Sequence, residues 1–487
     1  MIAIKKLFNN LKNLTPAAKA SFWFVVSSVV LKGMSFITTP IFTRLLDVAD
    51  YGVSAVFVTW EGVISIFATL SLSGGVYNVA MTKYEDDIDR YTSSMIGLTA
   101  VSSISVYLIC IIFNGLFPQV FKLNTGYLIF MWVQTFFNAV TTFWLMRKRF
   151  TYDYKKVIAY TFSNAILSPI VAIIAVRLFS DNKALAKVIG SGVWAIFVGF
   201  AIMCLLIKKG KTLYNKQYWK YALKFNIPLI PHYLSQVMLH SADKLMLDGM
   251  VNAAAAGLYS IAHSITGLVS IITQAINSSL IPYTLQAIKK GTVKKLYNVI
   301  LGCSTLVAII CELIILFARE GILIFATEEY MNAVWFVAPL AFGVQVNFVT
   351  GLVGNIVFYY EKSKEMSVAT MITAATNVAL NFIGIKLFGM VAVGYATLIT
   401  SFVHFFLYYR IAKKYEKQLD EIINLKALLF IFLGFAVLMV YGIVFWNNLL
   451  MKIILLVVIL VLVLVFKNKI IGMFKNMKKK DGPLNEQ

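Results

Sequence analysis

Stretches of about 20 predominantly apolar residues follow one another through almost the whole of this 487-residue chain. Each is long enough to cross the roughly 30 Å hydrocarbon core of a bilayer as a helix rising about 1.5 Å per residue. The runs lie near residues 21–44, 52–76, 92–117, 124–146, 157–179, 184–207, 226–248, 255–282, 297–318, 333–358, 367–388, 390–410, 426–446 and 449–466. They predict an all-α membrane protein of about fourteen transmembrane helices. Only 14% of the residues are charged, against about 25% in soluble domains, and the mean hydropathy is +0.79. No polar stretch is long enough to build a soluble domain, so lipid is the solvent for most of the surface.

The net charge of +22 raises the question of a nucleic-acid partner. The placement of the charge answers it. Of the 44 Lys and Arg residues, 34 fall in alternate connections between the apolar runs, and nine sit on the opposite side: Arg44, Lys122, Arg177, Lys183, Lys187, Lys244, Arg319, Lys386 and Lys452. Basic connections stay on the cytoplasmic side, so both termini are expected there and nucleic acid is excluded as the partner. The connections on the other side are short.

The basic start leads into a full-length apolar segment without a small-residue cleavage site, so the first helix is expected to remain as an anchor. The expected organisation is a cytoplasmic amphipathic leader (1–20), a six-helix half with its linker (21–223), a second six-helix half (224–411), two added helices (412–466) and a basic cytoplasmic tail (467–487). A weak internal repeat supports the halves. Thr43-Arg44-Leu45-Leu46-Asp47 before Tyr51-Gly52 echoes Asp243-Lys244-Leu245-Met246-Leu247-Asp248 before Gly257, and Val133-Gln134 returns as Val344-Gln345. Repeated halves are a common plan for transporters.

A charged side chain at mid-bilayer costs at least about 2.5 to 3.5 kcal/mol, so each one left in an apolar run needs a wet cavity or a partner. Lys32, in the middle of the first run, is the leading contact for an anionic substrate. In the seventh run His232, Gln236, His240 and Lys244 recur every four residues and form one polar stripe. Pro228 and Pro231 at its entry would kink it, so the run reads as a cavity-lining helix or as one glued to its neighbours. Arg44 and Lys244 lie nearer a membrane face. Glu61, Asp243 and Glu312 either titrate in an ion-coupled cycle or neutralise nearby cations, and His263 and His404 are packed histidines or proton relays. The amides Gln274 with Asn277, and Asn377 with Asn381, would bond sugar hydroxyls or neighbouring helices.

Neither a metal site nor a cofactor is expected. Cys110, Cys204, Cys303 and Cys311 all lie in apolar runs without ligand spacing. Glu85-Asp86-Asp87-Ile88-Asp89 contains the Asp-x-Asp pattern of sugar transferases but lies in a short turn with no nucleotide-binding domain around it. It reads as a solvated acidic loop.

Three pieces of sequence resemble bacterial polysaccharide repeat-unit flippases, which serve O-antigen and capsule synthesis: Pro40-Ile41-Phe42-Thr43-Arg44-Leu45-Leu46 before Tyr51-Gly52, Arg147-Lys148-Arg149-Phe150, and Glu329-Tyr330. These belong to the multidrug/oligosaccharidyl-lipid/polysaccharide exporter superfamily. The resemblance implies two pseudo-symmetric halves, alternating access, and a cationic cavity for the pyrophosphate and sugars of an undecaprenyl-linked oligosaccharide. On that reading Lys32 and Lys244 line the cavity with Arg44 at its rim, Gln236 and His240 add polar contacts, and Glu61, Asp243, His263 and Glu312 are the candidates for ion coupling. The implied partners are the lipid-linked oligosaccharide, membrane lipids, the polysaccharide polymerase and the chain-length regulator, in a bacterial inner membrane. Phe36-Ile37 stand where the lipid II branch carries an Arg-Asp pair, which argues against a peptidoglycan precursor. A cation-coupled multidrug exporter is the alternative. A membrane glycosyltransferase or polymerase fits less well, since no connection is large enough for its catalytic motifs.

Overall fold

Backbone amides in hydrocarbon must be satisfied internally, which leaves helices as the way for apolar runs of this length to span. The computed structural model describes residues 16–179, 181–289 and 294–458, and among them every regular element is helical. In chain order the helices are α1 (Pro16–Leu45), α2 (Val48–Ala68), α3 (Val76–Lys83), α4 (Ile88–Leu116), α5 (Thr125–Phe150), α6 (Tyr154–Leu178), α7 (Lys183–Gly210), α8 (Lys216–Asn226) and α9 (Ile230–Met250). Then follow α10 (Ala253–Lys289), α11 (Lys294–Leu316), α12 (Ala318–Phe325), α13 (Val334–Tyr359), α14 (Ser363–Phe388), α15 (Ala392–Tyr415), α16 (Leu425–Val444) and α17 (Leu449–Val458). Short single turns fill several of the connections.

Among the described residues, eleven helices are long and apolar enough to cross a membrane by length and composition: α2, α4 to α7, α10, α11 and α13 to α16. α1 and α9 coincide with the runs near 21–44 and 226–248. α17 covers the start of the last run, whose remainder lies outside the described residues, as do the first fifteen residues of the leader and the basic tail. Asparagine and aspartate start many of these helices by accepting an otherwise orphaned amide hydrogen. Asn124 accepts from the Tyr127 N–H at 3.2 Å, Asn182 from Leu185 at 2.9 Å, Asn424 from Ala427 at 3.1 Å and Asp47 from Asp50 at 2.7 Å.

The apolar run near 52–76 is not one helix. α2 stops at Ala68, and Leu70 and Ser71 take left-handed backbone angles (φ 51° and 47°) before Gly74 and Gly75 lead into α3. Hydropathy does not register such a break, because it depends on backbone angle and not on apolarity. The freed backbone groups are met by side chains. Ser102 on α4 donates to the Ala68 carbonyl at 2.7 Å. Asn226, fully buried at the end of α8, donates to the Leu70 carbonyl at 2.9 Å and accepts from the Val76 N–H at 3.1 Å. Asn226→Ala strands both groups, each at about 1 to 3 kcal/mol. We expect a clear fall in the thermal unfolding temperature in detergent, and no smaller one for Asn226→Asp, whose carboxylate keeps the acceptor but cannot donate to the Leu70 carbonyl and buries an unpaired charge. Unchanged unfolding in both variants would mean that water replaces the amide.

The chain separates into two compact units, Met1–Gly257 and Leu258–Gln487, each with its own core. In the first, α7 packs against α4, α5 and α6, α1 against α6, and α9 lies along α2. The Lys122 ammonium donates to the Asp248 and Gly249 carbonyls, placing a cation at the carbonyl end of α9. The second unit is built around α13, which has no charged residue and is buried along nearly its whole length against α11, α15 and α16. Amides join its helices: Gln345 donates to the Ser304 carbonyl at 2.9 Å, Asn355 to Asn277 at 2.7 Å and Asn347 to Ser401 at 3.1 Å. Asn381 donates to Asn377 at 3.2 Å, one turn back on the same helix α14. Lys452 of α17, itself buried, donates to both oxygens of Glu320 on α12 at 2.7 and 2.8 Å and ties the last described helix to this unit.

Candidate substrate and ion site

Ser54 and Glu61 stand seven residues apart on α2. That separation is two turns, so both face the same way with about 10 Å of helix rise between them. α5 and α7 bring polar groups to this face. Gln134 and Asn138, one turn apart on α5, donate to the two oxygens of Glu61 at 3.1 and 3.4 Å. α7 approaches closely here because Gly192 has no side chain. A methyl group at that position would begin 2.5 Å from the Gln134 amide oxygen. That oxygen is itself buried without a partner among the described residues.

Toward the α2 N-terminus, Lys187 on α7 donates to the Ser54 hydroxyl at 2.7 Å. Its ammonium lies 4.2 Å from the centre of the Tyr51 ring and 5.1 Å from that of Phe42, within cation–π range of both. No carboxylate lies within 4.0 Å of it among the described residues. The first unit therefore holds a cation and a carboxylate on one helical face, two turns apart, each surrounded by neutral groups. If the two were paired they would cancel each other. Held apart, the ammonium suits an anionic ligand and the carboxylate suits a proton or cation.

Val237 on α9 lies 3.8 Å from where a Gly62 side chain would begin, which sets Gln236 and Glu61 next to one helix crossing. Gln236 and Lys244 are half-buried on α9, eight residues apart on one face, and Asp243 beside Lys244 is 2% exposed. The side chains of Lys32 and His240 lie outside the described residues, although α1 and α9 themselves are described. Arg44 ends α1 on the exposed surface, where its guanidinium donates to the Pro40 carbonyl of its own helix at 2.7 Å. His263 is exposed on α10 and belongs with Glu312 to the second unit. The four ion-coupling candidates are thus divided, with Glu61 and Asp243 in the first unit and His263 and Glu312 in the second.

Lys187 escaped the sequence reading, which counted it among the cations of the non-basic side. The sequence reading met Gln134 only as part of the Val133-Gln134 repeat and did not single out Asn138; their i, i+4 spacing was a signal it could have used, but their register against Glu61 was not. The acidic loop is engaged within the chain. Asp87 accepts from the Tyr218 hydroxyl at 2.6 Å, and Asp89 pairs with Arg147 at 2.5 Å. Burial, together with the Asp87 bond, pushes the Tyr218 hydroxyl up to about 12.

Residues 17–288, more than half of the chain, match the family described as polysaccharide biosynthesis protein. The chain belongs to this family. Among curated relatives, this family member is similar to an uncharacterized membrane protein of Haemophilus influenzae, at 20% identity over 82% of this chain and 98% of that one. It is also similar to the Lsg locus putative protein 1 of the same organism, at 23% identity over 76% and 92%. Its fold is that of the lipid II flippase MurJ in an inward closed conformation, with a TM-score of 0.63 at 14% identity, over 93% of this chain and 99% of that one. An inward-facing multidrug resistance transporter of the MATE family in the MOP superfamily aligns at a TM-score of 0.57 and 12% identity, over 82% and 99%. A variant of the Vibrio cholerae MATE transporter VcmN aligns at 0.53 and 12%, over 82% and 96%. This member of the polysaccharide biosynthesis family is therefore a multi-pass protein of the inner membrane with the fold of that exporter superfamily.

Proposed function

We propose that the protein is a flippase, not an enzyme, that carries an undecaprenyl-pyrophosphate-linked oligosaccharide repeat unit from the cytoplasmic to the outer leaflet by alternating access, coupled to an ion gradient. The observation that carries this reading is Lys187, an intramembrane ammonium held by a hydroxyl and two rings and facing no carboxylate among the described residues. A pyrophosphate supplies the missing negative charge, and a charge-assisted contact to it is stronger than a neutral one. Lys32, Lys244, Gln236 and His240 complete the proposed substrate set, with Arg44 at its rim. Glu61, cradled by two amides, is the proposed coupling acid, with Asp243 in reserve. The polysaccharide family supports a sugar polymer precursor as cargo, and the MurJ-like fold supports a lipid-linked one. The two six-helix halves at 21–223 and 224–411, the cytoplasmic termini, and handover to the polymerase and chain-length regulator belong to the same proposal.

Glu61 favours one second reading, a cation-coupled multidrug exporter, because an amide-held carboxylate in the membrane is also a site for a cationic drug. One experiment separates the two. In cells deleted for this protein, loss of surface polysaccharide with repeat units stranded on the inner leaflet is the expected result. Normal polysaccharide with increased drug sensitivity would replace the flippase by the exporter. Repeat units stranded on the outer leaflet would point to the polymerase.

A further inference from the structure

The second unit contains an acid that the proposed translocation route leaves unused. Glu312, four residues before the end of α11, is 1% exposed, and neither of its oxygens has a hydrogen-bond partner among the described residues. It is turned toward α16. Its Oε1 lies 3.7 Å from where a methyl on Gly442 would begin, and Gly442 is pressed against Ile315, one turn along α11. Beside this seam, Ile309, Leu313 and Leu438 of α11 and α16 pack against Leu316 and against Leu455 of α17.

The charged and titratable groups on the elements packed against α11 are all accounted for elsewhere or outside ion-pair reach. α12 carries Arg319 and Glu320, and Glu320 is taken by Lys452. α16 carries Lys426 in its first turn and Tyr441, whose hydroxyl donates to the Met451 carbonyl at 2.9 Å. The turn Leu419–Ile422 carries Glu421 and Asp420, which accepts from Tyr409 at 2.9 Å and pairs with Lys413. α13 offers only Tyr359, and α11 itself Tyr297, Cys303, Cys311 and, at its start, Lys294 and Lys295. No cation comes within 4.0 Å of the Glu312 carboxyl among the described residues.

A carboxylate cannot stay charged in such a seam without a partner, whereas a carboxylic acid can stay there neutral. An apolar residue would fill the space without any cost in desolvation, so the acid is best explained by what it binds. A crevice lies beside the seam, lined by Ile315, Ala318, Trp335, Gly442 and Trp446, with the two indole rings 6.2 Å apart. It gives water a short approach once α16 moves.

We propose that Glu312 is a proton-binding site of the second unit, and that its proton holds the α11–α16 seam closed. With the proton bound, the carboxyl is neutral and the seam packs dry. When the O–H bond breaks and the proton leaves to water in the crevice, the new charge draws water in and the seam opens. The site assumes nothing about the transported cargo, so its test does not read transport.

The purified full chain in lipid nanodiscs would be titrated by infrared spectroscopy, following the C=O stretch of protonated carboxyls, both as it is and in a Glu61→Gln background. Hydrogen exchange of the seam peptides around residues 309–316 and 435–444, each rate divided by the intrinsic amide rate at that pH, would be followed over the same pH range. The expected result is a protonated-carboxyl band that fades at alkaline pH, a matching rise of at least tenfold in seam exchange, and the loss of both responses in Glu312→Gln. The proposal is overturned if the fading band survives in Glu312→Gln, or if seam exchange in the unmutated chain does not depend on pH. The second measurement stands even if the variant fails to fold.

Discussion

Lys187→Ala is expected to raise the concentration of lipid-linked pyrophosphate needed for half-maximal translocation by about ten- to a hundredfold in proteoliposomes. That is the loss of one charge-assisted contact worth about 1.5 to 3 kcal/mol. The reasoning is local. The ammonium is held by the Ser54 hydroxyl and the Tyr51 and Phe42 rings, and it faces no carboxylate among the described residues. Removing it therefore breaks no ion pair, and the folded protein should survive. Lys187→Arg keeps the charge and should restore much of the affinity. Glu61→Gln keeps the side chain's shape and one of the two contacts from α5, since its new NH2 cannot accept, and removes the ionisable group, so it should leave substrate affinity near normal while abolishing the response to an imposed proton gradient. If Lys187→Ala transports normally and only melts earlier, Lys187 is an anchor between α7 and α2, and the substrate reading of this face fails.

Gly52→Ala is expected to cost more than about 3 kcal/mol and to remove most of the folded protein from a detergent extract. A methyl on Gly52 would begin 1.8 Å from the Ala253 carbonyl oxygen, and one on Gly257 would begin 2.5 Å from the Val48 carbonyl oxygen. Two helix starts, α2 and α10, meet backbone to backbone through these glycines, an approach that small residues make possible between membrane helices. Neither contact has a flexible side chain that could yield. The same substitution at Gly115 or Gly434, which have nothing within 4 Å of the added methyl, should be neutral or slightly stabilising, since alanine is the better helix former. Size-exclusion profiles of the three variants check this directly, and equal recovery of all three would show that the α2–α10 approach can relax.

Much of the architecture was legible in the chain because a membrane reduces the question to length and apolarity. Among the described residues the predicted runs lie on helices, save the break after Ala68, and α9 was recognisable despite its polarity from the stripe through His232, Gln236 and Lys244 behind Pro228 and Pro231. The break after α2 was not legible. Leu70 and Leu72 keep the hydropathy high, while the left-handed angles at Leu70 and Ser71 depend on an asparagine far along the chain. The candidate site divides in the same way. Glu61 stood out as a lone acid in an apolar run, but its amide partners lie 73 and 77 residues away, and no local pattern encodes that register. Lys187 was counted with the nine cations on the side opposite the basic connections, because linear position gives depth but not direction. Its side chain turns inward to Ser54 instead.

The bridge from Asn226 to Leu70 and Val76 also bears on how the protein is made. Val76 leaves the ribosome 150 residues ahead of the asparagine that will accept its amide hydrogen. At about 5 to 20 residues per second that interval is about 8 to 30 s. Throughout it, the interruption between α2 and α3 lacks its side-chain partner while α4 to α7 are already being delivered to the membrane. The first helices therefore enter the bilayer before their own path is closed, and the basic connection after α7 must be translated through α8 before the first unit can assume its final form.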